Sequence, residues 1–212
     1  MTDETIEAAT LGEAWLAVAG RILDSGIASH YDGLPILEIE QAALRIAHPS
    51  STDPIVDRLG DPERLAWMHA NFTEHARVAA LGDARSYAAR LYDYAGTGRD
   101  QIRWVIERLR ADPASRSATI TTFEPLLDTS YIPCVSLLDF WIRDSKVELV
   151  VYAHSIDFGA KGYGNLVELA FLQELVAREL GRELGRLVFL VKSAHVYDSE
   201  FDYMHKVLAE AD

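Results

Sequence analysis

The sequence predicts an α+β protein, a sandwich in which a mixed or antiparallel sheet packs on helices. Three observations predict it. Helical periodicity early in the chain gives way, between Ala118 and His154, to stretches rich in Val, Ile, Thr and aromatics with partial alternation. Leu166 to Leu180 is then apolar around most of a helical circumference, which marks a helix inside a domain. A short apolar run, Leu187 to Val191, adds a strand after that helix.

The elements follow in order. Thr10 to Leu23 reads as a helix, with Thr10 as cap, Glu13 at the capping-box position and Gly26 as its stop. Asp32-Gly33 is a turn signal, and Leu34 to His48 reads as a strand-like stretch passing into loop, with Pro49 and Pro54 as breakers. Asp61-Pro62 opens a helix that Arg64 to Phe72 continues. Arg99 to Leu109 is a clearer helix, stopped at Asp112-Pro113. Strands are expected at Ala118 to Phe123, Val135 to Ile142 and Val147 to His154, the last two joined by the tight turn Arg143-Asp144-Ser145-Lys146. The tail from Ser199 reads as a final helix.

Composition narrows the function. A chain of 212 residues suits one domain spanning 1–212. With 20 Lys+Arg against 33 Asp+Glu the net charge is -13, which counts against nucleic acid and anionic membrane as partners. The acidic start has no apolar core and no window approaches a membrane span, so a cytoplasmic protein is expected. The single cysteine, Cys134, permits neither an intramolecular disulfide nor a thiolate metal cluster, and no metal site is expected.

A lone intracellular cysteine is commonly a small buried apolar residue. Here, however, Ile132-Pro133-Cys134 enters a strand after a polar loop, Asp128 to Tyr131, where a substrate can reach it. In chain order Cys134 is preceded by Arg116 and followed by Ser155-x-Asp157, by Asn165 at the start of the apolar helix, and by His195-x-Tyr197 after a short strand. Upstream stand Tyr87 and Asp100-Gln101-Ile102. This order and these intervals resemble the thymidylate synthase family, over Tyr87 to Tyr197 most closely, and the short length resembles its compact archaeal-type members.

The resemblance implies folate-dependent one-carbon transfer to C5 of a pyrimidine nucleotide, with 5,10-methylenetetrahydrofolate as cofactor. Cys134 would be the nucleophile that adds at C6, with Tyr87 near it and Glu63, close to Trp67, handling water and protons. Asn165 would read the base edge, because a carboxamide offers a donor beside an acceptor; a helix cap is its plainer role. His195 and Tyr197 would bond the sugar, and Ser155 a phosphate or sugar oxygen. Asp157 would hold the pterin, and Lys161 would supply charge to the folate tail or to phosphate. Arg116 would reach into a partner's site, which implies a homodimer with shared active sites.

Departures from the family pattern accompany the matches. Ser117 and His154 stand where further phosphate-binding arginines would be, so the substrate or its phosphate contact differs; His154 at the phosphate would favour binding below about pH 6.5. Val135 follows the cysteine in place of His, Ser193 replaces an Asp, and Phe158 to Gly164 lacks the usual loop sequence. Aligning on Trp67 puts Arg64, not Glu63, at the glutamate position. Three readings therefore stay open: methyl transfer, hydroxymethylation of a cytosine nucleotide such as CMP or dCMP, and a non-catalytic dimeric nucleotide or folate binder.

Overall fold

The computed structural model describes residues 5–129 and 131–211. Its strands are β1 (Thr5–Ala8), β2 (Ile27–Tyr31), β3 (Leu34–Ile46), β4 (Arg77–Val78), β5 (Ala84–Arg85), β6 (Ala118–Thr121), β7 (Val135–Arg143), β8 (Lys146–Ala153), β9 (Ile156–Asp157) and β10 (Glu183–Tyr197). Its helices are α1 (Leu11–Ser25), α2 (Pro54–Leu59), α3 (Pro62–Thr73), α4 (Tyr87–Tyr92), α5 (Gln101–Ala111), α6 (Gly162–Leu180) and α7 (Phe201–Ala211). Eight strands form one mixed sheet in the order β1-β3-β10-β8-β7-β6, with β2 paired to β3 and β9 to β10. The α+β expectation holds.

Local chemistry sets the element ends. Thr10 caps α1 by accepting the Glu13 N–H at 3.3 Å, while the Glu13 carboxylate accepts the Ala9 N–H at 2.8 Å. Asp61 caps α3 through the Glu63 and Arg64 N–H groups. The β7–β8 hairpin turns on Asp144 and Ser145, both at positive φ (49° and 64°), a backbone twist that suits a two-residue hairpin.

Three expectations change. Leu34 to Ile46 is strand throughout, because its pairing with β10 carries it past the point where the sequence loses alternation. Pro54 starts a helix instead of breaking one, since Asp53 caps α2 and a proline in the first turn loses no helical hydrogen bond. The terminal strand runs from Glu183 to Tyr197, far beyond its apolar centre, because it pairs with β3, β8 and β9.

Helix α6 lies in the middle of the core, with Leu166, Leu169, Leu172 and Val176 fully buried. It connects β8 to β10, which run parallel, as a crossover helix does. The register of that pair slips between Leu184 and Leu187. Gly185 sits at the slip, where a Cβ would come within 2.6 Å of the Glu148 side chain. The fully buried Gln173 of α6 donates to the carbonyls of Val147, Gly185 and Arg186 at 2.8, 3.2 and 3.2 Å. One amide thus answers several carbonyls that the irregular ladder leaves open.

No helix among the described residues is long and apolar enough to cross a membrane.

Candidate active site

A cavity of about 160 Å³ opens where the central strands end. The end of β2 and the turn after it supply Tyr31 and Asp32, α3 supplies Trp67, Met68 and Asn71, and Leu81 and Tyr87 follow. Tyr131 and Cys134 come from the loop before β7. Ser155, Ile156, Asp157, Lys161 and Asn165 come from β9 and the start of α6, and His195 and Tyr197 from the end of β10. The chain thus brings eight of the eleven residues singled out in the sequence to one place.

Cys134 is partly exposed rather than sealed in the core. Burial raises its thiol pKa; the Tyr131 hydroxyl, then Lys161, act in the opposite direction. The backbone around it is fixed: the Val135 N–H donates to the Tyr87 hydroxyl at 3.0 Å, and the His154 N–H donates to the Cys134 carbonyl at 3.0 Å. Tyr87 is itself held by stacking on Phe72 (4.4 Å between rings) and by its N–H donating to the Asn71 carboxamide oxygen at 3.1 Å. Burial, with Cys134 beside it, holds the Tyr87 phenol well above its ordinary pKa, so it remains protonated.

His195 is 2% exposed. Its Nδ1 lies 3.4 Å from the Ser155 hydroxyl, and its Nε2 is buried without a partner among the described residues. Burial lowers its pKa, which favours a neutral imidazole. Tyr197, two residues on, packs edge-on against it at 5.1 Å, and Tyr31 packs from the other element at 5.3 Å. An orphaned ring nitrogen in a polar cavity fits a hydroxyl-bearing ligand such as a sugar.

Asn165 sits one turn inside α6 rather than at its cap, a position Lys161 occupies. Its Nδ2 donates to the Lys161 carbonyl at 3.0 Å. That bond fixes which end of the carboxamide is which, since the flipped amide would set oxygen against oxygen.

Asp157 uses one oxygen, Oδ1, to accept the Gly159 and Ala160 N–H groups at 2.9 and 3.2 Å. Burial raises its pKa to about 6, against those N–H groups and Lys161. Its other oxygen has no protein donor among the described residues, so the donor set fits a ligand carrying N–H groups, as a pterin does. The Lys161 ammonium lies 5.5 Å over the Trp67 ring. The loop between them is clamped from behind. The Trp15 indole donates to the Phe158 carbonyl at 3.0 Å, and Arg64 bonds the Gly159 carbonyl at 3.4 Å while pairing with Glu200.

Three of the residues expected at the site lie outside this cavity. Glu63 stands at the exposed start of α3, one turn before Trp67, and the cavity's carboxylates among the described residues are Asp32 and Asp157. Arg64, at the alternative position, is taken up by Glu200 and Gly159. His154 is half-buried outside the lining, and burial, then Lys192, lower its pKa; it is a weaker cation than its sequence position suggests. Arg116 is exposed in a separate concavity with Trp141 and Arg143. Among the described residues Lys161 is the one cation of the cavity.

Sequence reasoning missed Tyr31, Asp32, Met68, Asn71, Leu81 and Tyr131 as site residues. Tyr131 alone carried a local signal, three positions before the cysteine. Among the described residues no cluster of three or more His, Cys, Asp or Glu is arranged to hold a metal.

Comparison with known proteins identifies the family. Residues 53–212 match the family model described as thymidylate synthase. A protein of Methanosarcina barkeri named "Putative thymidylate synthase" is 32% identical over 211 residues, covering 96% of this chain and 94% of its own. A protein of the same name from Methanosarcina mazei is 37% identical over 163 residues, 74% of each chain. With the cysteine, the carboxamide, the aspartate and the His-x-Tyr pair gathered around one cavity, the chain belongs to the thymidylate synthase family.

Proposed function

We propose that this cavity carries out folate-dependent one-carbon transfer to C5 of a pyrimidine nucleotide, through a covalent adduct of Cys134 at C6. The observation that carries the reading is a partly exposed Cys134 sharing one cavity with Asn165, Asp157 and an unpartnered His195 nitrogen. C5 of the ring is a poor nucleophile. When the Cys134 thiolate gives its electron pair to C6, the C5=C6 π pair moves toward C5 and the C4 carbonyl oxygen, and C5 becomes an enolate carbon. Methylenetetrahydrofolate supplies the one-carbon unit and, for a methyl product, the hydride that leaves it as dihydrofolate. Loss of the C5 proton and expulsion of the Cys134 sulfur restore the double bond.

The other residues bind and orient. Asn165, pinned by the Lys161 carbonyl, presents one fixed donor–acceptor order to the base, and this favours a single pyrimidine over both. His195 and Tyr197 take a sugar hydroxyl, with Ser155 beside them. Asp157 and Lys161 serve the cofactor. Tyr87 keeps the backbone after the nucleophile in register. A second copy of the chain supplies Arg116, which has no role in its own cavity; the exposed apolar side chains Leu137, Tyr152 and Leu190, on adjacent strands of the sheet, support a pairing surface.

The test uses C5-tritiated UMP, dUMP, CMP and dCMP, with and without methylenetetrahydrofolate. Release of tritium from one of them, abolished in Cys134→Ser, is the expected result. Dihydrofolate formation then identifies methyl transfer; tritium release with tetrahydrofolate as product identifies hydroxymethylation. Saturable binding without tritium release from any of the four would leave the non-catalytic binder as the correct reading.

A further inference from the structure

We propose that Asn71 is a specificity-determining residue of this cavity, its Nδ2 donating a hydrogen bond to the carbonyl oxygen at C4 of the pyrimidine and so selecting uracil over cytosine. The inference rests on the reading of the cavity as a pyrimidine site and adds a residue that the sequence analysis did not assign.

A backbone group fixes the orientation of the Asn71 side chain. Tyr87 is the first residue of α4, so its N–H has no partner inside that helix. Asn71, on α3, accepts that N–H with its carboxamide oxygen at 3.1 Å. The flipped amide would set donor against donor, so the oxygen is committed to α4 and the nitrogen is the free end. Asn71 is 6% exposed and lines the cavity, and its Nδ2 has no partner among the described residues. Nor is that nitrogen one of the sealed, unpartnered atoms, as the His195 Nε2 is; it keeps contact with open space, and the open space that Asn71 lines is the cavity. A buried donor placed in this way is completed by a ligand acceptor or by water.

Packing brings this donor to the end of the cavity that reads the base. Helix α3 lies beside the start of α6: the Lys161 ammonium sits over the Trp67 ring, a Cβ on Gly164 would come within 3.2 Å of the Met68 side chain, and the His69 Nδ1 lies 3.1 Å from the Glu168 carboxylate. Asn71 is the carboxamide that α3 contributes to the cavity, as Asn165 is the one that α6 contributes. Tyr87 links Asn71 to the nucleophile, because its N–H meets the Asn71 oxygen and its hydroxyl accepts the N–H of Val135, next to Cys134. A carbonyl oxygen at C4 has two lone pairs; Asn165 takes one and the Asn71 N–H takes the other. The amino group of cytosine would set N–H against N–H at the same place. Once Cys134 adds at C6, negative charge builds on the C4 oxygen, and the Asn71 bond strengthens with it.

The test is the equilibrium binding of UMP, dUMP, CMP and dCMP to the intact chain, measured by calorimetry without folate. The parent is expected to bind a uracil nucleotide about tenfold or more tighter than its cytosine counterpart. Asn71→Asp keeps the oxygen that the Tyr87 N–H needs and exchanges the donor for an acceptor; it is expected to lower the uracil-to-cytosine ratio about tenfold or more. Asn71→Leu, uncharged and of similar size, is expected to bring the ratio down in the same direction, and it keeps the test open if Asn71→Asp does not fold. A residue that only held Tyr87 in place would weaken both bases alike and leave the ratio where it was. A parent that binds cytosine as tightly as uracil, or an unchanged ratio in the folded variants, overturns the proposal. Binding needs no covalent step, so a uracil preference that depends on Asn71, without tritium release from C5, would overturn the one-carbon reading and leave this one standing.

Discussion

Arg90 and Asp128 form a two-pronged ion pair beneath the nucleophile loop, with Nη1–Oδ2 at 2.7 Å and Nη2–Oδ1 at 2.8 Å. Their side chains are 2% and 5% exposed. Arg90 Nη1 also donates to the Thr122 carbonyl at 2.9 Å and lies 3.8 Å from the buried Glu124. The guanidinium therefore ties α4 to the segment that follows β6 and leads to Cys134. Replacing Arg90 with Leu leaves two carboxylates buried beside one another. The expected cost is about 3–5 kcal/mol, read as a lower urea midpoint. Arg90→Leu combined with Asp128→Asn is expected to be less destabilised than the sum of the two single changes.

Asp157 makes binding and stability respond to pH in opposite directions. Its folded pKa, about 6, lies above the ordinary aspartate value near 4, so the folded chain holds the proton more tightly than the unfolded chain. Its contribution therefore favours folding at low pH and is lost as pH rises from about 4 through about 6. Asp157→Asn is expected to be more stable than the parent at pH 7, by up to about 3 kcal/mol, and equal to it below pH 4. On the proposed reading, the carboxylate form is the one that accepts pterin N–H groups. Folate affinity measured by calorimetry is expected to rise in the parent between pH 5 and pH 7, and to stay weak and flat in Asp157→Asn.

Asn165 is expected to govern the choice of base. Its amide is oriented by the Lys161 carbonyl, so uracil and cytosine, whose edges carry opposite donor–acceptor orders, are not equivalent. Tritium release is expected from one base series at least tenfold faster than from the other. Asn165→Asp, which replaces the donor with an acceptor, is expected to shift the ratio toward cytosine.

Asp32 sits in a cavity whose one cation among the described residues is Lys161. A phosphate there meets a carboxylate. Asp32→Asn is expected to tighten binding of a nucleoside monophosphate about three- to tenfold at low salt, with the gain shrinking as salt is added, and to leave the affinity of the parent nucleoside unchanged.

What the sequence conveyed and what it withheld have physical reasons. The Thr10 cap, the Asp144-Ser145 turn and the apolar α6 are local features, and each is written in a few consecutive residues. Cys134, Asp157, Asn165 and His195 were found through their order and spacing. Tyr31 and Asp32 were not, because the β2–β3 and β3–β10 pairings bring that turn beside His195 from more than 160 positions away. Arg90 drew no notice in the sequence, because what buries it is its partners Asp128, Thr122 and Glu124, all more than 30 positions away. Glu63 illustrates the converse: proximity to Trp67 in sequence did not bring it into the cavity.

Strand β10 joins β3 on one side to β8 on the other, and it follows both in sequence. While the ribosome is still translating residues before Glu183, the nascent polypeptide holds two separate groups of strands, each with an apolar edge awaiting the same partner. Their meeting is postponed until β10 emerges. Holding chaperones are expected to engage the growing chain over that interval, and crosslinks to them are expected to vanish once Tyr197 clears the exit tunnel.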